Sequence, residues 1–228
     1  MRDRRQRAFA CEDEAREALA GAAARLGAGP ACLSLRWDRS GAAGLLSTAA
    51  SPAPESVEWF ALSEPAWPAG GGADNGADNG AVNGAVNGTN RPDDLRLHRG
   101  IYRHRDDVAA VILSRLVFST ALACTAAIRE AGLSVFLPDL ALVTGDTIRC
   151  AVAPAGARAP PDHALPDQAW SDPVLAALGS GVACLLAGRG LLVTAASLQA
   201  AVGLSFEIEQ LAQIHCQIAM LNRCRPPA

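Results

Sequence analysis

Between Leu97 and Thr120 the chain reads LHRGIYRHRDDVAAVILSRLVFST, an amphipathic helix that passes through a short charged turn into a buried strand. Leu97, His98, Ile101 and Tyr102 fall at helical spacing and make one face, which leaves Arg96, Arg99, Arg103 and Arg105 for water. Arg105-Asp106-Asp107 closes the helix. From Val108 to Leu113 the residues are continuously apolar and β-branched at three positions, the pattern of a strand covered on both faces. This strand is therefore predicted to lie at the centre of a sheet.

The segments on either side supply elements to cover it. Glu12 to Leu26 carries Ala15, Leu19, Ala22, Ala23 and Leu26 at helical spacing and predicts the first helix, ended by Gly27 and Gly29-Pro30. Ala31 to Trp37 alternates Cys32, Ser34 and Arg36 against Leu33, Leu35 and Trp37, the period of a half-buried strand, and Gly44 to Thr48 should pair with it as a hairpin. Beyond the central strand, Ser119 to Ala131 is predicted as one helix closed by Gly132. Leu133 to Val143 is predicted to hold a strand broken at Pro138, and a turn at Gly145 leads into Thr147 to Val152. Ala153 to Pro173 is proline-rich and reads as irregular. A short helix follows over Val174 to Leu178, then strands over Val182 to Leu186 and Leu191 to Thr194 that meet at Gly188-Arg189-Gly190. Ser197 to Leu221 is predicted as a long helix with Ser197 as N-cap.

With 228 residues, 50% of them apolar, the chain can bury one sizeable core, so 12–222 is read as a single domain between tails at 1–11 and 223–228. From Pro65 to Pro92 an internal repeat, Ala-Asp-Asn-Gly twice and then Ala-Val-Asn-Gly twice, offers too little apolar surface to offset its ordering entropy and reads as a low-complexity loop. Asp74 and Asp78 are too few carboxylates for a calcium loop there. All 20 basic residues are arginine, which excludes Schiff-base catalysis by a lysine amine. A net charge of -3 without a basic block argues against a nucleic-acid partner. No apolar run approaches the roughly 20 residues of a membrane span, and no apolar leader precedes Phe9-Ala10-Cys11, so a cytoplasmic protein is expected. The seven scattered cysteines contain no Cys-x-x-Cys pair and read as reduced, buried small hydrophobes.

His98, Ile101-Tyr102 and Arg105-Asp106-Asp107-Val108-Ala109-Ala110-Val111 together resemble the class II aldolase/adducin family, in which a helix bearing a His and an Ile-Tyr pair leads through RPDVNAVVH into a strand ending in His-x-His. Leu185-Leu186-Ala187-Gly188-Arg189-Gly190 is similar to the family's LLxNHG strand end, Glu207 and Glu209 to its EVE helix, and Ser34 and Arg36 to its GNxSxR strand. The resemblance covers about residues 12 to 221. It implies a three-layer α/β/α fold whose central, mostly antiparallel sheet is flanked by helices.

In that family three histidines hold zinc, the metal polarises a carbonyl, and an acid shortly before the helix His handles the proton. By position the acid is Asp94, and the ligand positions are Leu113, Arg115 and Arg189. A guanidinium stays protonated and has no lone pair for zinc, so the resemblance implies a degenerate member with no metal and no other cofactor. The anion cradle is altered too, with Cys32 at the Asn position and Ser47-Thr48-Ala49-Ala50 in place of TPTG. The family's assisting Tyr should fall near Leu137 or Pro138, yet Tyr102 is the only tyrosine. His98, His104, His163 and His215 form no metal spacing.

Asp94, Arg115 and Arg189 are expected to converge in one cleft, where the arginines either pair with Asp94 or, with Ser34 and Arg36, clamp a small anionic ligand. The function implied is a non-catalytic binding or assembly module, as a homo-oligomer such as a tetramer or beside a paralogous aldolase-like subunit. The alternative is an aldehyde-lyase, epimerase or dehydratase acting on sugar phosphates or related small carbonyl compounds.

Overall fold

The computed structural model describes residues 9, 11–27, 31–36, 43–48, 57–62, 91–152 and 167–223. The repeat tract up to residue 90, most of both tails and most of the proline-rich stretch after Val152 lie outside them. Strands β1 (Ala31–Arg36), β2 (Ala43–Thr48) and β3 (Glu58–Ala61) form an antiparallel meander, followed by α2 (Arg91–His104) after the N-terminal α1 (Glu12–Arg25). Next come β4 (Ala110–Ser114), α3 (Val117–Ala123), α4 (Ala126–Ala131), β5 (Leu133–Ser134), α5 (Pro138–Thr144), β6 (Thr147–Ile148) and β7 (Cys150–Ala151). The chain continues with α6 (Asp167–Leu178), β8 (Ala183–Leu186), β9 (Gly190–Ala195) and α7 (Leu198–Arg223).

The main sheet has the order β3-β2-β1-β4-β9-β8-β7, and β4 lies at its middle as its apolar run requires. Every pairing in it is antiparallel except β7 with β8. The pleat sends alternate residues to two cores. Leu33, Leu35, Ala110, Ile112, Leu185, Leu191 and Val193 pack with α1, α3, α5 and α7. Cys32, Val111, Leu113, Cys184, Leu186 and Leu192 pack with α2 and α6. This is the α/β architecture the resemblance implies, a sheet with helices on both faces. Among the described residues no helix is long and apolar enough to cross a membrane.

Local chemistry corrects several predicted elements. Ser119 to Ala131 is two helices, because Thr125 adopts extended backbone and its Oγ1 accepts from Ile128 N at 3.4 Å, capping a new start. Leu133 to Val143 is not a broken strand: only Leu133–Ser134 pairs, and Pro138 opens α5 from its first turn, where its missing N–H costs nothing. Helix α6 begins at Asp167, upstream of the predicted start, with Pro173 inside it. Tertiary packing overrides the proline there. Gly100 of α2 lies so close to α6 that a Cβ would meet Ser171 Cβ at 2.5 Å, and that approach is open only to glycine. Strand β3 was not anticipated from the residues at all.

Candidate functional site

The sequence places one buried stripe on α2, and Leu95, Leu97, His98, Ile101 and Tyr102 are all buried. Arg99, expected in water, is only 4% exposed. Helix α2 is packed on a second flank by α6, so a single-stripe reading underestimates its burial. The alternation of β1 turns Cys32, Ser34 and Arg36 toward α2, and there the strand and helix share a polar network within an apolar core.

The Tyr102 hydroxyl lies within hydrogen-bond distance of the Ser34 carbonyl oxygen, at 3.0 Å, and of Ser34 Oγ, at 2.9 Å. Ser34 Oγ also lies 2.6 Å from His98 Nδ1, so the three side chains share one hydrogen-bonded network. His98 Nε2 is buried and has no hydrogen-bond partner among the described residues. Burial first, and the nearby Arg189 charge second, push His98 down to about 3, so the ring is neutral near pH 7. Burial also raises the Tyr102 hydroxyl well above its ordinary value.

Arg36 donates through Nη2 to the carbonyls of Tyr102 at 2.5 Å and Arg105 at 3.0 Å, while its guanidinium lies 5.1 Å from the Tyr102 ring centre. It ties β1 to the end of α2. Ser34 and Arg36, expected as anion ligands, both hydrogen-bond to α2 and its C-terminal end. Neither periodicity could reveal this docking, because each fixes only which way its own element faces.

Arg189, in the turn between β8 and β9, donates through Nη2 to Asp94 Oδ1 at the start of α2, and both side chains are 15% exposed. Gly190 builds that turn. Its φ is 115°, and a Cβ there would come within 2.2 Å of the Ser114 carbonyl oxygen, so the hairpin can close against β4 only with glycine. The β4–β9 ladder ends with Ser114 opposite Leu191, which sets Arg115 beside the same turn. Arg115 is nevertheless exposed and makes no ion pair with a described residue, and Leu113 is buried in the α2–α6 core. The structure brings Asp94 and Arg189 together and leaves Arg115 outside the pair.

These residues do not fit zinc. Leu113 offers no donor atom, and the guanidinium of Arg189 is a cation already satisfied by the carboxylate that would serve as the acid. Among the described residues no three His, Cys, Asp or Glu side chains are grouped to hold a metal ion. On α7, Glu209 accepts from Phe118 N at 2.7 Å and Ser119 N at 2.9 Å and so caps α3; it is a structural group. His215 Nε2 lies 2.7 Å from the Ser134 carbonyl, beside the Phe136 ring.

Residues 75–216 match the family model described as Class II Aldolase and Adducin N-terminal domain. A 5-methylthioribulose-1-phosphate/5-deoxyribulose-1-phosphate aldolase of Rhodospirillum rubrum is 35% identical over 119 residues, which are 52% of this chain and 48% of the relative. The matched region thus spans about half the length of that curated relative. In fold, the chain is similar to YgbL from Escherichia coli, with 21% identity, 89% of this chain and 88% of that one covered, and a TM-score of 0.62. It is similar also to an L-fuculose 1-phosphate aldolase, with 22% identity, coverage of 93% and 89%, and a TM-score of 0.63.

Proposed function

The chain belongs to the class II aldolase and adducin family, and from that premise we propose that it uses the fold without the family's metal chemistry, as a binding or assembly module. The Asp94–Arg189 ion pair carries this reading. A divalent cation about 4 Å from a guanidinium would be repelled by on the order of 8 kcal/mol at an effective dielectric of 20. The carboxylate at the acid position is held by that same guanidinium, so it is not poised to take a proton from a substrate. Assembly draws support from apolar side chains left in water on the outside of the domain, among them Leu142 and Val143 on α5 and Ile218, Met220 and Leu221 on α7. Self-association, or pairing with a paralogous aldolase-like subunit in the cytoplasm, would cover them.

The test is metal analysis of purified protein after growth with added zinc and dialysis, together with a cleavage assay on L-fuculose 1-phosphate and 5-deoxyribulose 1-phosphate. The expected result is zinc far below one ion per chain and no aldehyde product. One retained zinc per chain would overturn the proposal. The relative that is 35% identical and is named as an aldolase favours a second reading, an aldehyde-lyase, epimerase or dehydratase on sugar phosphates. Turnover of either substrate would select it.

A further inference from the structure

The main sheet ends at β7, and beside that last strand lies a cleft of about 640 Å³ between α4 and α6. Small-molecule sites typically occupy roughly 300–1,000 Å³. Arg129, Thr147, Arg149 and Cys150 line one part of it, and Val152, Pro173, Ala176 and Ala177 another. The pleat of β7 sends Cys150 into the core on the α4 side and Ala151 into the core under α6. Arg149 therefore shares the side of Ala151, and its guanidinium rests against Gly179 at the end of α6, where a Cβ would lie 2.5 Å from Nη2. Arg129 comes from α4, and its charge acts on the Cys150 thiol, whose burial raises it. Two arginines thus line one cleft, one from each face of an edge strand.

Neither arginine forms an ion pair with a described residue, although Glu130 also lines the cleft. The carbonyls of Arg149 and Ala151 accept from Leu185 N and Ala187 N of the β8 segment, both at 2.9 Å. Strand alternation then turns the Cys150 N–H toward the open edge of the sheet. Two arginines, Thr147 and a backbone N–H bring to the lining of this cleft more donor groups than the two oxygens of a carboxylate can use. A phosphate monoester, with three terminal oxygens and up to two negative charges, matches them. The space left over is bordered by small apolar side chains.

We propose that this cleft binds the phosphate group of a small phosphorylated compound between Arg129 and Arg149, at a site separate from the Asp94–Arg189 pair. The full chain is titrated with inorganic phosphate in a low-salt, phosphate-free buffer, and thermal unfolding and calorimetry are followed, with acetate at equal ionic strength as comparison. Phosphate is expected to raise the Tm saturably, and Arg129→Gln and Arg149→Gln each to weaken binding by about tenfold or more, the loss of one charge-assisted contact. Arg115→Gln is expected to bind as the parent does. If Arg149→Gln fails to fold without its seat on Gly179, Arg149→Lys and the exposed Arg129→Gln carry the comparison. The proposal is overturned by no saturable response, by an equal response to acetate, by unchanged binding in Arg129→Gln, or by loss in Arg115→Gln.

Discussion

Replacing Arg189 with methionine is expected to destabilise the folded chain by about 3 kcal/mol. At 15% exposure on both sides the Asp94–Arg189 pair is largely out of water, so removing the guanidinium takes a close cation away from a carboxylate that is poorly solvated. An exposed pair would be worth roughly 0–1 kcal/mol, which makes burial the deciding quantity. Methionine keeps most of the aliphatic volume, so the loss reports charge and not a cavity. Denaturant unfolding of Arg189→Met, Asp94→Asn and the double variant measures the coupling, and the double variant is expected to recover most of the loss. Equal stability of Arg189→Met and the parent would mean that Arg189 is held for a ligand and not for the fold. That result would also remove the main support for the module reading, because a guanidinium without a structural duty is available to substrate.

Legibility in the sequence followed the length of each pattern. Helix α1, strands β1 and β4 and helix α7 were readable because their apolar positions repeat over several turns or pleats with one interpretation. The region from Leu133 to Val143 was not, since its apolar and β-branched residues suit a strand, and only the position of Pro138 at the first turn of α5 decides the matter. Thr125 shows the same limit at smaller scale. Its side chain can lie in a helix or cap one, and local spacing does not choose.

The candidate site was legible only in part, for a related reason. Asp94 and Arg189 are 95 residues apart and come together because α2 and the β8–β9 turn both lie at one end of the sheet, which spacing cannot express and the family resemblance could. The Ser34–His98–Tyr102 network combines a strand period with a helix period, and each predicted its own face without predicting that the two faces meet. Arg129 and Arg149 carried no signal. They belong to a short helix and to the approach of a two-residue strand, elements too brief to show a period.

The pH dependence of stability is expected to carry the mark of His98. The folded chain holds this ring neutral down to about pH 3, whereas in the unfolded chain it ionises near its ordinary value of 6.5. Between those values the unfolded state binds a proton that the folded state refuses, so acid favours unfolding throughout the interval, by about 1.4 kcal/mol for each pH unit. Above pH 6.5 the ring is neutral in both states and the site contributes no slope. From pH 6.5 to pH 4.5 the loss from this one residue should be about 2.5 kcal/mol. His98→Gln removes the titration while keeping a polar side chain near Ser34, so the difference between parent and variant isolates the site from the carboxylates that also respond to acid. Because burial is the larger cause and the Arg189 charge the smaller, Arg189→Met should raise the folded pKa of His98 without returning it to 6.5. Histidine NMR of the folded chain reads that value directly. A ring that titrates near 6.5 in the parent would mean that water reaches Nε2, and the closed packing of α2 on β1 would have to be abandoned.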